Sequence, residues 1–304
     1  MTGTNVMPIV RSGAVRVRGL AGWLPLIMLP LIAATMRGAL RPWIFMWVMA
    51  VAVFAGFKWW TWWEAVERGG ERGSIRSMTY LLLWPGMDAD RFLSRDKMVA
   101  EPAFGVWMFA LAKTMFGATL IWGVARVAGN GWAAGWIGMI GLIFFLHFGS
   151  FHLLALFWQR SGIDAQPLMR WPVLANSLSD FWGKRWNAGF RDLAFGLLFA
   201  RLSGWMPPRI AALMIFLFSG LIHELVITFP AGGGYGLPTC YFLIQGIGAL
   251  CERTRFGKRV GLRRGLAGRI FAMTVVTLPV LALFPEPFVL RVMVPFFQTI
   301  KALP

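Results

Sequence analysis

Three histidines, His147, His152 and His223, are the side chains of this sequence that can exchange a proton near neutral pH without help from their surroundings. His223 lies well inside an apolar run from Pro208 to Phe229, in Phe218-Ser219-Gly220-Leu221-Ile222-His223-Glu224. An ionisable group within a membrane span costs roughly a few kcal/mol, so it asks for a function or a partner. An imidazole held there could take a proton from a hydroxyl and return it. The competing role is an interhelical hydrogen bond. Gly220, three positions earlier and on nearly the same face, lets another helix or a substrate chain come close. Glu224 points about 100° away from His223 on a helix and reads as a structural residue facing a polar cavity or a basic partner.

His147 and His152 are five apart, which puts them on different faces of an α-helix, whereas helical metal pairs use spacings of three or four. They read as interhelical hydrogen-bonding residues or as tunnel lining, and no metal site is expected. Lys113, near the middle of its apolar run, calls for an interior cavity or a carboxylate. Cys240 and Cys251 fall in one apolar run, about 16 Å apart along a helix, too far to bridge.

A second polar cluster is Asn176-Ser177-Leu178-Ser179-Asp180-Phe181-Trp182-Gly183-Lys184-Arg185-Trp186-Asn187. Ser177 with Asp180 forms a helix-capping pattern. Continued as one helix, Asp180, Lys184, Asn187 and Arg191 share a face, while Trp182, Trp186 and Gly189 share another. That is an amphipathic interfacial helix. Anchoring at a membrane surface explains the pattern but not the density of Trp, Asp, Lys, Arg and Asn. Asp180, Trp182, Lys184, Arg185 and Trp186 are therefore candidate substrate contacts, with Lys184 and Arg185 suited to phosphate groups.

The elements that carry these residues follow from composition. Of 304 residues, 58% are apolar and only 14% charged, well below the quarter or so of soluble domains. The apolar runs extend for about 16–25 residues without period-two alternation, the length of a helix crossing roughly 30 Å of hydrocarbon. The fold class is all-α: a polytopic transmembrane bundle of about eight spans with interfacial helices and an internal tunnel, forming a single domain over residues 1–304. The spans run from Leu20, Pro42, Pro102, Gly131, Pro208, Leu237, Arg269 and Pro287, and the interrupted segment 188–205 is interfacial or re-entrant. The net charge of +17 resides mainly between spans and is read first as topology and second as attraction to anionic headgroups or a polyanionic cosubstrate, not as nucleic-acid binding. Placing the basic loop 253–269 in the cytoplasm leaves Arg37, Arg41 and Arg126 on the wrong side. Arg11, Arg16 and Arg18 precede an uncleaved first span.

The run Ser177-Leu178-x-Asp180-Phe181-Trp182-Gly183-x-Arg185-Trp186-Asn187, followed by Phe216-x-x-Ser219-Gly220-x-x-His223, resembles the membrane-bound O-acyltransferase superfamily, and within it the wax synthase branch. Trp84-Pro85-Gly86-Met87-Asp88 is similar to that branch too. The resemblance implies that His223 is catalytic and Asn187 its essential companion, either orienting His223 or stabilising an oxyanion. It also implies transfer of a fatty acyl group from acyl-CoA to a lipophilic alcohol, with acyl-CoA as cosubstrate and no other cofactor. The alternatives are O-acylation of another hydroxyl (a sterol, diacylglycerol, glycan or small metabolite) and a non-enzymatic transporter or scaffold. Arg far exceeds Lys and Gly, Ala and Trp abound, which points to a GC-rich bacterial genome and a plasma membrane. One geometric tension stands out: counted along helices, Asn187 falls near the cytoplasmic surface and His223 about 20 Å deep.

Overall fold

In lipid every backbone N–H and C=O must be satisfied within the chain, and helices achieve this segment by segment. The computed structural model describes residues 20–69, 73–95 and 98–304, so Arg11, Arg16 and Arg18 lie outside the described residues. Among the described residues every regular element is helical. In chain order they are α1 (Leu20–Thr35), α2 (Pro42–Glu67), α3 (Ile75–Leu83), α4 (Ala89–Leu93), α5 (Phe104–Val127), α6 (Gly131–Arg160), α7 (residues 178–185), α8 (residues 188–202), α9 (Pro208–Ala231), α10 (Leu237–Cys251), α11 (Arg255–Arg259), α12 (Gly265–Leu283) and α13 (residues 286–299). Of these, α2, α5, α6, α9 and α12 are long and apolar enough to cross a bilayer, and α1 and α10 are shorter apolar helices. The chain is an integral membrane protein built as a polytopic helical bundle.

Packing follows the rule for helices in lipid, where small residues at the contact let backbones approach. On α5 the large side chains Phe104, Met108, Leu111, Met115 and Phe116 face outward, while Ala110 and Gly117 are buried. A Cβ on Gly117 would lie 2.3 Å from the Phe145 amide nitrogen of α6. Gly220 does the same between α9 and α10, where an added Cβ would lie 2.7 Å from Thr239 Cα.

Calling the end that bears residues 253–269 inner, α8 has both its ends there. Its first turn packs Gly189 against Gly86, and its last donates from Arg201 to Glu64 at 2.7 Å. Between them Leu193 and Leu197 are buried with Val53 and Phe57 of α2. Segment 188–205 is thus re-entrant, as its interrupting charges suggest.

The last expected span, Pro287 to Ile300, departs from the sequence reading: α13 does not cross. Pro285 and Pro287, at its start, pack against Gly234 and Gly233 of the outer turn. Beyond its far end, the carbonyls of Ile300 and Lys301 accept from Trp122 and Arg126 at the outer end of α5. Fourteen residues rise only about 21 Å, short of the roughly 30 Å required. Two of the charges that violated the topology rule are anchored at this same end. Arg126 holds the Lys301 carbonyl at 3.2 Å. Arg37 donates to the Tyr235 hydroxyl at 3.0 Å and lies over the Phe229 ring.

Candidate active site

A cavity of about 840 Å³ opens between α2, α7, α8, α9 and α10. Trp60, Trp182, Phe195, Phe216 and Phe242 supply much of its wall, and both Asn187 and His223 line it. The two residues that the sequence places far apart in depth thus face one space.

The physical reason lies in α7, which dips into the bundle instead of lying along its surface. Its N-terminus is held by two caps. Ser177 Oγ accepts from the Asp180 N–H at 3.0 Å, the pattern legible in the sequence. The carboxylate of Glu252 accepts from the N–H groups of Leu178 and Ser179 at 2.8 and 3.1 Å. An anion at a helix N-terminus satisfies orphan donors and meets the positive end of the helix dipole. Glu252 is fully buried, and it ties the start of α7 to the inner end of α10. Deeper in, Trp182 donates to Gln245 at 3.3 Å and its ring meets those of Phe216 and Phe242. Phe242 in turn lies 4.4 Å, centroid to centroid, from the His223 imidazole. A single aromatic ring separates the tryptophan-rich segment from the histidine.

His223 is half-buried on α9. Its Nδ1 is 2.7 Å from the carbonyl of Ser219, one turn back. A carbonyl only accepts, so Nδ1 carries the proton and donates. In the neutral ring this leaves the lone pair on Nε2, the form a general base requires. Glu224, its chain neighbour, turns elsewhere: one oxygen accepts from the amide and hydroxyl of Thr239 at 3.1 and 2.9 Å, and the other from Thr228. It ties α9 to α10, which is the structural role read from the sequence.

Asn187 corrects the single-helix reading of 180–191. Trp186 is extended, and Asn187 adopts the left-handed conformation at φ 41°, one that asparagine tolerates better than most residues. The helix breaks there, and Asn187 caps the next one: its Oδ1 accepts from the Phe190 N–H at 3.2 Å. With the oxygen committed to the cap, the side-chain NH₂ is the group left to donate. The turn is pinned by Ala188 donating to the Leu168 carbonyl and Arg170 to that of Arg185, both at 2.8 Å. Asn187 and His223 share no hydrogen bond.

Of the other residues singled out, Trp182 and Trp186 line the cavity, whereas Asp180, Lys184 and Arg185 do not. Asp180 and Arg185 pair with each other at 2.7 Å. Burial pushes the Asp180 carboxyl up, but the bonds from Arg185 and the Asn176 amide outweigh it and hold it below the usual carboxylate range. Lys184 is exposed, next to Gly183 on the cavity wall. His152 Nδ1 lies 2.8 Å from Lys113 Nζ, so those two satisfy each other away from the cavity. His147 is not part of the cavity wall either, and its Nδ1 is buried with no hydrogen-bond partner among the described residues. The sequence reading passed over Glu252, Gln245 and Lys58. The signal was present in each case, a polar side chain inside or at the edge of an apolar run.

Residues 165–244 match the model of the membrane bound O-acyl transferase family. The long-chain-alcohol O-fatty-acyltransferase of Simmondsia chinensis is 32% identical over 122 residues, 36% of this chain and 34% of that protein. The Arabidopsis thaliana protein named "Probable long-chain-alcohol O-fatty-acyltransferase 9" is 36% identical over 83 residues, 24% of each chain. An Arabidopsis thaliana protein named acyl-CoA–sterol O-acyltransferase 1 is 34% identical over 73 residues, 22% of this chain and 21% of that protein. This chain spans about a third or less of the length of these curated relatives. The matched segment holds α7, Asn187, α8, His223 and Phe242, which supply part of the cavity wall, while α2, residues 87–90 and the inner half of α10 lie outside it. Over this segment the chain is similar to the membrane bound O-acyl transferase family, and to the long-chain-alcohol O-fatty-acyltransferases within it.

Proposed function

We propose that this protein transfers a fatty acyl group from acyl-CoA to the hydroxyl of a lipophilic alcohol, with His223 as general base. The observation that carries this reading is the Nδ1–H···O=C bond from His223 to Ser219, which leaves Nε2 unprotonated in a ring on the wall of a mostly apolar cavity. Nε2 takes the hydroxyl proton as the alcohol oxygen attacks the thioester carbonyl. The C–S bond of the tetrahedral intermediate then breaks, and the imidazolium returns the proton to the departing CoA thiolate. The oxyanion of that intermediate needs a preorganised donor, and the free NH₂ of Asn187 supplies it. The mostly apolar wall disfavours water beside the thioester, which favours transfer over hydrolysis.

Arg253 lines the cavity where Leu178 and Ser179 also reach it and donates to Ser179 Oγ at 3.3 Å. Together with exposed Lys184 it would hold the CoA phosphates at an inner mouth. The acyl chain and the alcohol would lie against the aromatic wall. A second reading, in which the acceptor is a sterol, is favoured by the relative named for sterol acylation. The bacterial plasma membrane rests on composition alone, since the relatives that match are plant proteins. The test is transfer of labelled acyl-CoA to long-chain alcohols and sterols in purified membranes. Wild-type protein forms ester, and His223→Ala forms none while inserting normally. Undiminished ester formation by His223→Ala overturns the proposal.

A further inference from the structure

Lys58 sits on the span α2 with 1% of its surface exposed, yet no carboxylate among the described residues is within ion-pair distance of it. Its Nζ donates to the Gly86 carbonyl at 2.7 Å and lies 3.1 Å from the centroid of the Tyr80 ring. The Tyr80 hydroxyl bonds Thr61 Oγ1 at 2.7 Å, and Thr61 lines the cavity. A buried amine is kept only where something depends on it, and here the dependent piece is the backbone at 86–88. Met87 and Asp88 line the same cavity as Asn187. Gly86 and the amide of Met87 face Gly189, two residues after Asn187, at a spacing where an added Cβ would make ordinary contact with both at 3.5 Å.

We infer that Lys58 is a positioning residue for the active site: by holding the Gly86 carbonyl it clamps segment 84–88 against the first turn of α8, and so sets the place of the Asn187 amide. The chain of contact runs Lys58, Gly86, Gly189, Asn187, and each link is backbone or a buried donor. Asn187 itself rests in a left-handed conformation on a break between two helices. A turn of that kind holds its place only when packed from outside.

This inference deepens the acyl-transfer reading, and its activity test rests on that reading. Lys58→Met keeps the apolar stem and removes the donor. Amide hydrogen exchange of the purified protein is measured together with kcat and the acyl-CoA KM. The expected result is faster exchange at both 84–88 and 186–191. With it, kcat per folded molecule falls by about tenfold to a hundredfold while KM stays within about twofold, the signature of a loss confined to the transition state. Unchanged exchange at 186–191, or wild-type kcat, overturns the inference. Should Lys58→Met fail to accumulate, Gly189→Leu pries the two segments apart with the Lys58 bond intact. It is expected to show the same kcat loss, and wild-type kcat there overturns the inference as well. A wild-type protein without acyltransferase activity defeats the function proposed above, whereas the exchange result still decides the role of Lys58.

Discussion

Glu252 on α10 accepts the backbone N–H of Leu178 at 2.8 Å, across 74 residues of sequence. Its other oxygen takes the N–H of Ser179, so one buried carboxylate fixes where the tryptophan-bearing helix enters the bundle. Glu252→Ala leaves both donors buried without partners, at about 1–3 kcal/mol each. Thermal melting of the detergent-purified protein is expected to show a loss of about 2–6 kcal/mol for Glu252→Ala. Glu252→Gln, which keeps one acceptor oxygen, falls between it and wild type. Equal stability of all three would show that the cap does not hold α7.

Asn187 commits its side-chain oxygen to the Phe190 cap, and under the acyl-transfer reading its NH₂ serves the oxyanion, so substitution can separate the two. Asn187→Asp keeps an acceptor for the Phe190 N–H and is itself a good helix cap, but it loses the NH₂ donor. It is expected to melt like wild type and to lose activity by about a hundredfold to a thousandfold. Asn187→Ala loses the donor and the cap together, so it adds a stability loss of about 1 kcal/mol. An active Asn187→Asp enzyme would remove the oxyanion role.

Much of this site was legible in the chain. The helical character of the apolar runs, the capping by Ser177 and the close approach at Gly220 follow from spacing and residue type. The juxtaposition of Asn187 with His223 did not, because it depends on a helix break at Trp186–Asn187 and on a tether from Glu252. A left-handed asparagine leaves the local polar pattern unchanged, so a continuous 180–191 helix reads equally well. The tether joins residues 74 apart, beyond the reach of any periodicity. The same limit applies to α13. Its apolar run looks like a span, and only the packing of its start on Gly233 and Gly234, with the bond from Arg126 to Lys301 just past its end, shows that it stays at one end.

The Asp180–Arg185 pair gives a pH test of the α7 entrance. The Asp180 carboxyl is held below its unfolded value, so its contribution to stability is complete above about pH 4, where the unfolded group is ionised. It is lost as pH falls through the lower, folded value. Asp180→Asn is therefore expected to melt below wild type at neutral pH, and the gap is expected to close as the pH drops beneath about 4. A gap that is constant across this range would mean that the pair is held by packing and not by charge.

Gly196 on α8 is exposed, lines the cavity and has open space where a Cβ would stand. Its neighbour Phe195 lines the cavity too, although 60% exposed. The wall is thus open toward the outside of the bundle at this turn. Gly196→Leu meets no backbone and gains helix propensity of about 1 kcal/mol, so the variant is expected to fold at least as well as wild type. The added side chain narrows the opening and subtracts from the apolar volume. Under the acyl-transfer reading, the KM for a long-chain alcohol is then expected to rise by about tenfold, about 1.4 kcal/mol of lost binding, while that for a short-chain alcohol changes little. Gly183 makes the control, because it is also exposed on the cavity wall in open space but lies beside Lys184 at the other end of the motif. Gly183→Leu is expected to raise the acyl-CoA KM instead. The two substrates use different openings if the two variants separate in this way, and one shared opening if both variants raise both values together.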